Sequence, residues 1–103
     1  MIRIYYIASE KFKDVKKLLE ENPYAEDSFA HAGYTLKDAK DYGFKASGYY
    51  IYVDSDETFV KKADARLKGM ADIVEGKELD GVKAKIDEEQ SNAISGFGSI
   101  FGG

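Results

Sequence analysis

The chain has 103 residues and a mass of 11.5 kDa, the size of one domain with one core. Hydrophobic residues make up 44% and charged residues 33%, a soluble globular profile rather than a disordered one. Lys and Arg number 15 against 19 Asp and Glu, for a formal net charge of -4, which argues against a general binder of nucleic acid or anionic membrane. With no Cys and a single His, His31, the chain has no disulfide, thiolate site, Cys nucleophile or multi-His metal site. No run approaches the roughly 18 apolar residues of a membrane span, and no basic-then-apolar leader opens the chain. A cytoplasmic location is therefore expected. Trp is also absent, Gln occurs only at Gln90 and Asn only at Asn22 and Asn92, a composition that leans in the thermophile direction.

Ile2 to Ala8 is β-branched, aromatic and apolar. Ile2, Ile4 and Tyr6 alternate with Arg3, Tyr5 and Ile7, the pattern of a central strand covered on much of both faces. Ser9 stands at an N-cap position, and Phe12, Val15, Leu18 and Leu19 follow at helical spacing until Asn22-Pro23 stops the helix. Asp27 to Ala32 is expected as a short second strand led by Phe29. Thr35, with Asp38 three residues on, has capping-box-like spacing and predicts a short helix ending at Gly43. Gly48 to Val53 has the highest β-propensity in the chain. An acidic helix start follows at 54–58, and then Phe59, Ala63 and Leu67 at four-residue spacing, with Gly69 as the stop. Met70 to Glu75 is expected as the last strand, and from Lys77 a helix carries Leu79, Val82, Ile86 and Ala93 along one stripe.

With the short helix set aside as an insertion, the order is βαββαβ, the ferredoxin-like plan, with an extra C-terminal helix. The expectation is thus an α+β sandwich with a single domain over residues 1–94 and a Gly- and Phe-rich apolar tail over 95–103. The alternative is a small three-layer α/β sheet in which 27–32 is a loop. Pairing of Phe29 and His31 with Tyr50 and Tyr52 would decide for the first.

The sharpest local pattern is Ile51-Tyr52-Val53-Asp54-Ser55-Asp56-Glu57-Thr58. An apolar strand followed by Asp-x-Asp-x-Thr resembles the first motif of the haloacid-dehalogenase-like phosphatases. That resemblance implies Asp54 as nucleophile on phosphorus, Asp56 as general acid/base and Mg²⁺ beside them. It covers eight residues, and the chain after Thr58 is too short for that family's remaining strands. Without catalysis, Asp54, Asp56 and Glu57 offer clustered oxygens to Mg²⁺ or Ca²⁺. As helix residues they cap the helix and favour its N-terminal dipole.

Tyrosines form a second constellation. Tyr50 and Tyr52 share one face of their strand, and Tyr5 points away from the Ile2–Ile4–Tyr6 face. In a ferredoxin-like sheet these strands are the central pair, so the three rings are expected on the face without helices. RNA-recognition domains stack single-stranded bases on that face, although Gly48–Val53 lacks their basic and Gly-Phe pattern and the acidic balance opposes phosphate. Coverage of the tyrosines by the C-terminal helix or by another subunit fits better. Beyond that helix, Phe97, Ile100 and Phe101 are too apolar for a simple solvated end and suit docking to a protein partner or a second copy. The closing Gly102-Gly103 resembles the end of ubiquitin-like modifiers, which begin with a hairpin rather than with strand then helix. No Ser-His-Asp order, phosphate-cradling loop or dinucleotide fingerprint is present. The sequence expectation is a non-enzymatic, self-associating or partner-binding module with no required cofactor, acting through Tyr5, Tyr50 and Tyr52 and through Phe97, Ile100 and Phe101.

Overall fold

The computed structural model describes the backbone of residues 1–102 and the side-chain environments of residues 1–90. Its centre is an antiparallel pair, β1 (Ile2–Ile7) and β3 (Tyr49–Asp54), in which Ile4 faces Tyr52, Tyr5 faces Ile51 and Tyr6 faces Tyr50. Partners directly opposite share a face of the sheet. Tyr5, Ile7, Ile51 and Val53 therefore fall on one side, and Ile4, Tyr6, Tyr50 and Tyr52 on the other. β2 (Thr35–Asp38) pairs antiparallel with β3, and β4 (Asp72–Ile73) antiparallel with β1, giving the order β2-β3-β1-β4. The fold is a small α+β domain built on this four-stranded antiparallel sheet.

The first face is covered by α1 (Phe12–Glu20) and α3 (Glu57–Leu67). Val15 and Leu19 of α1 and Phe59, Val60, Ala63 and Leu67 of α3 pack with Phe29 against Tyr5, Ile7, Ile51 and Val53. The Phe29 and Phe59 rings meet edge to face at 5.4 Å, and Phe12 stacks on Tyr49 at 3.9 Å. The second face is covered by α4 (Gly76–Gly102), whose Val82 and Ile86 are buried with Ile4, Tyr50 and Tyr52. Complete burial of each such side chain contributes on the order of 1.5–3 kcal/mol. Placement of the C-terminal helix over the tyrosines agrees with the sequence expectation.

Several local expectations are corrected. Asp27 to Ala32 is not a strand: Phe29–Ala32 is one helical turn, α2, capped by the Ser28 hydroxyl, which accepts from the His31 amide at 3.0 Å. The second strand lies instead at Thr35–Asp38, where a helix was expected. Thr35 and Lys37 sit opposite Tyr52 and Tyr50, the places assigned to Phe29 and His31. Pairing with the strongly β-prone β3 overrides the capping-box spacing, and only a 3₁₀ turn, Ala39–Tyr42, remains before Gly43. Ser9 begins a 3₁₀ turn with no side-chain cap, and α1 starts at Phe12. α3 ends at Leu67, two residues before Gly69, and β4 is two residues long rather than six. The backbone of α4 is helical to Gly102, through most of the stretch expected as a tail over 95–103.

Gly48 enters β3 with φ +96°, and a Cβ there would lie 2.5 Å from the Ile7 carbonyl oxygen and 2.6 Å from the Tyr6 hydroxyl. Gly33 has a similar φ of +86° but open space around it. Gly33→Ala should therefore cost about 1 kcal/mol of backbone strain, whereas Gly48→Ala should cost about 3 kcal/mol or more. Urea denaturation of the two variants checks the order, and equal losses would refute the steric account.

Candidate functional site

The alternation of β1 and β3 delivers Tyr6, Tyr50 and Tyr52 to the second face, and the 3₁₀ turn adds Tyr42. Tyr50 is the hub: its ring meets Tyr6 edge-on at 5.8 Å and Tyr42 edge-on at 5.6 Å. These T-shaped contacts set the ring edges against neighbouring π-faces. Tyr50 is fully buried, Tyr42 and Tyr52 nearly so, and Tyr6 partly.

A buried phenol needs a partner for its hydroxyl, and α4 supplies most of them. Tyr50 donates to Glu78 Oε2 at 2.6 Å, and Tyr42 lies 3.3 and 3.4 Å from the two Glu89 carboxylate oxygens. Asp87 stands beside Tyr52. Tyr6 donates elsewhere, to the Ser47 carbonyl at 2.8 Å. Lysines complete the layer. Lys45 reaches Glu78 at 3.5 Å and lies over the Tyr6 ring, Lys37 bridges to Glu89 at 2.9 Å, and Lys85 lies over the Tyr42 ring.

Burial raises Tyr50 and Tyr42 well above the ordinary phenol range, with Glu78 and Glu89 respectively reinforcing the shift. Tyr52 is raised by burial and then by Asp87 and Asp54. Glu89 is lowered, first by its hydrogen bond from Lys37, against the opposing effect of burial. The layer therefore holds protonated phenols against carboxylates of α4, an arrangement that anchors the helix to the sheet.

Tyr5 does not belong to this layer, contrary to the sequence expectation. It faces α3, where it is fully buried and donates to Asp64 Oδ1 at 2.6 Å, while Arg3 bridges to Asp64 Oδ2 at 3.0 Å. The single charge on that side of β1 is paired with Asp64 at the edge of the packed face, both side chains partly buried. Tyr6 takes the place expected of Tyr5.

The three acids of the helix start are drawn to separate partners. Asp54 lies 3.7 Å from the Met1 ammonium, Asp56 Oδ1 accepts from the Phe59 amide at 2.7 Å as the α3 cap, and Glu57 pairs with Lys61 at 3.0 Å. Among the described residues, no three His, Cys, Asp or Glu side chains group closely enough to hold a metal ion. The expectations for Phe97, Ile100 and Phe101 lie outside the described side chains.

Tyr6, Tyr42, Glu78, Asp87 and Glu89 were missed by the sequence reading. A signal for the two glutamates exists: Glu78, Val82, Lys85 and Glu89 recur at offsets of 4, 7 and 11, which places them along one side of a helix. Comparison of the chain with protein-family models, curated proteins and solved structures found no match. Among the described residues, no helix is long and apolar enough to cross a membrane.

Two outcomes follow from this geometry. Glu78→Ala leaves the Tyr50 hydroxyl without its partner and should cost about 1–3 kcal/mol. Tyr50→Phe combined with Glu78→Ala should cost less than the sum of the two single changes, by at least about 0.5 kcal/mol. Additive losses in urea denaturation would remove the coupling. In alkali, Tyr5, Tyr42, Tyr50 and Tyr52 have raised native values, so their protonated forms favour the fold below the ordinary phenol pKa. That contribution is lost as pH rises through the native values. Tyrosinate absorbance should therefore rise in two stages, with these four rings ionising only as the fold is lost by circular dichroism; one uniform titration in the folded protein would contradict the burial account.

Proposed function

We propose that this chain is a non-enzymatic binding or assembly module that works through α4. The observation that carries this reading is the division of that helix. Up to Glu89 its side chains engage the tyrosine face, and after Glu89 the sequence has no charged residue. At 27 residues α4 is about 40 Å long, whereas the six-residue central strands span about 20 Å. Ile94, Phe97, Ile100 and Phe101 follow Glu89 in the sequence at spacings of three and four residues. A stripe of that kind suits a protein surface, and a second copy of this chain presents the same stripe in return.

Within this reading the domain follows the ferredoxin-like plan, supported by the strand order and the antiparallel pairing of β1 with both β3 and β4. α4 is then an addition across the face that the plan leaves open. A cytoplasmic location belongs to the same proposal. Base stacking on the tyrosines has no geometric support, because Tyr50 and Tyr52 are buried and Tyr5 faces α3. Phosphoryl transfer at Asp54 and Asp56 has none either, because Asp56 is engaged as a helix cap and Asp54 lies beside the Met1 ammonium.

Light scattering over a concentration series tests the self-association form of the proposal. The full chain should exceed the monomer mass and fall towards it on dilution, and a chain lacking Ser95–Gly103 should remain monomeric throughout. Equal masses for the two chains at every concentration would overturn it.

A further inference from the structure

The two edges of the sheet are unlike. β4 is two residues long and the chain turns from it into α4, so it offers little backbone to a further strand. β2 is four residues long and pairs with β3 without a bulge. The Ala39 amide donates to the Gly48 carbonyl at 3.0 Å, one step past the opposed pair of Asp38 and Tyr49. Alternate residues of an antiparallel ladder bond to the same neighbour. Thr35 and Lys37 therefore turn their backbone groups to β3, and Leu36 and Asp38 turn theirs outward. Among the described residues nothing bonds to those outward groups. Edge strands are commonly guarded by a proline, a bulge or a lysine along the edge. The one proline here is Pro23, and Lys37 is drawn over the tyrosine face to Glu89 at 2.9 Å. Leu36, at the middle of the edge, is 36% exposed.

We propose that the β2 edge pairs antiparallel with the β2 edge of a second copy, about a two-fold axis at Leu36, joining the two sheets into one. This inference rests on the self-association proposed above and names the surface that sets its register.

Charge selects that axis. An axis at Lys37 would oppose two lysines and an axis at Asp38 two aspartates, and like charges directly opposite are unfavourable. An axis at Thr35 would carry the partner of Asp38 into Ala32, the last residue of α2. The axis at Leu36 sets Leu36 opposite Leu36 of the second copy, Lys37 opposite Thr35 and Asp38 opposite Tyr34. No like charges then meet, and α2 stays outside the pairing. The axis stands perpendicular to the sheet, so the tyrosine faces and the α4 helices of both copies lie on the same side. Glu89, the last charged residue, is held to Lys37 of β2, and the backbone continues helical from there to Gly102. The charge-free half of α4 thus starts beside this edge, and strand pairing and tail contact belong to one interface. A four-residue edge spans about 13 Å, too little by itself for the roughly 1,200 Å² of a specific interface. The edge sets the register and the tail adds the area.

Amide exchange of the full chain, read over the same concentration series as light scattering, tests the pairing. Where the mass exceeds the monomer's, exchange at Leu36 and Asp38 should slow by at least about tenfold relative to the dilute chain. Asp38 has φ −69°, close to the value a proline ring imposes. Asp38→Pro therefore removes one outward N–H while the bonds of β2 to β3 stay in place. Each dimer loses two hydrogen bonds, so assembly should need at least about tenfold higher concentration, whereas Asp38→Ala, which keeps the N–H, should assemble like the parent. An assembled parent whose Leu36 and Asp38 amides exchange as in the monomer would overturn the pairing and leave the tail contact standing. Asp38→Pro assembling like the parent would do the same. A parent of monomer mass at every concentration would overturn the self-association and the pairing with it. Should Asp38→Pro fail to fold, exchange in the unmodified chain decides alone.

Discussion

The antiparallel register of β1 on β3 is the constraint from which the rest of the molecule follows. It opposes Tyr5 to Ile51 and Tyr6 to Tyr50, and in a pleated sheet neighbours along a strand point to opposite sides. The central pair is therefore apolar on both faces, with large side chains on each. A one-residue slip would exchange the two sets and carry the Tyr5 hydroxyl away from Asp64 and the Tyr50 hydroxyl away from Glu78. Both faces must be covered, and a single layer of two helices covers only one.

The two covers reflect the chemistry of the faces they meet. The α1/α3 side is largely aliphatic and phenylalanine-lined, so it packs as a dry core with Arg3, Tyr5 and Asp64 as its polar inclusion. The tyrosine side needs acceptors as well as apolar surface. α4 brings both on adjacent rows, Leu79, Val82 and Ile86 for area and Glu78 and Glu89 for the phenols. Phe44, about half exposed, adds a small anchor: a Cβ at Gly81 would come within 2.6 Å of its ring. A helix-interior glycine is ordinarily unfavourable, and here it makes room for an aromatic ring against the helix.

The contact of α4 with the tyrosine face also bears on the residues that the sequence singled out. Tyr5, Tyr50 and Tyr52, which the sequence offered as a stacking platform, are buried within the molecule. The acids after β3 are likewise absorbed: one caps α3, one pairs one turn along the helix, and one lies near the amino terminus. Chemistry-bearing residue types at suggestive spacing are here engaged in structural contacts, and the proposed function is placed on α4 for that reason.

How much of this was legible depended on the range of the interactions involved. β1, β3 and α3 were readable because β-branched and aromatic runs and four-residue apolar spacing are local signals, and so was the placement of the C-terminal helix over Tyr50 and Tyr52. The stretch from 27 to 43 was misread because its local cues and its tertiary context disagree. Ser28 caps a single turn, and Thr35–Asp38 becomes a strand only through its partners Tyr49 to Tyr52. The two sides of β1 were exchanged for a similar reason, since both carry apolar and aromatic residues and only the bond of Tyr5 to Asp64, 59 residues away, tells them apart. By itself the sequence determined the period-two and period-four segments, the acidic charge balance and the absence of cysteine chemistry. Only the tertiary structure decided which face each tyrosine occupies and which carboxylate answers it, because those pairings join residues from 28 to 59 positions apart.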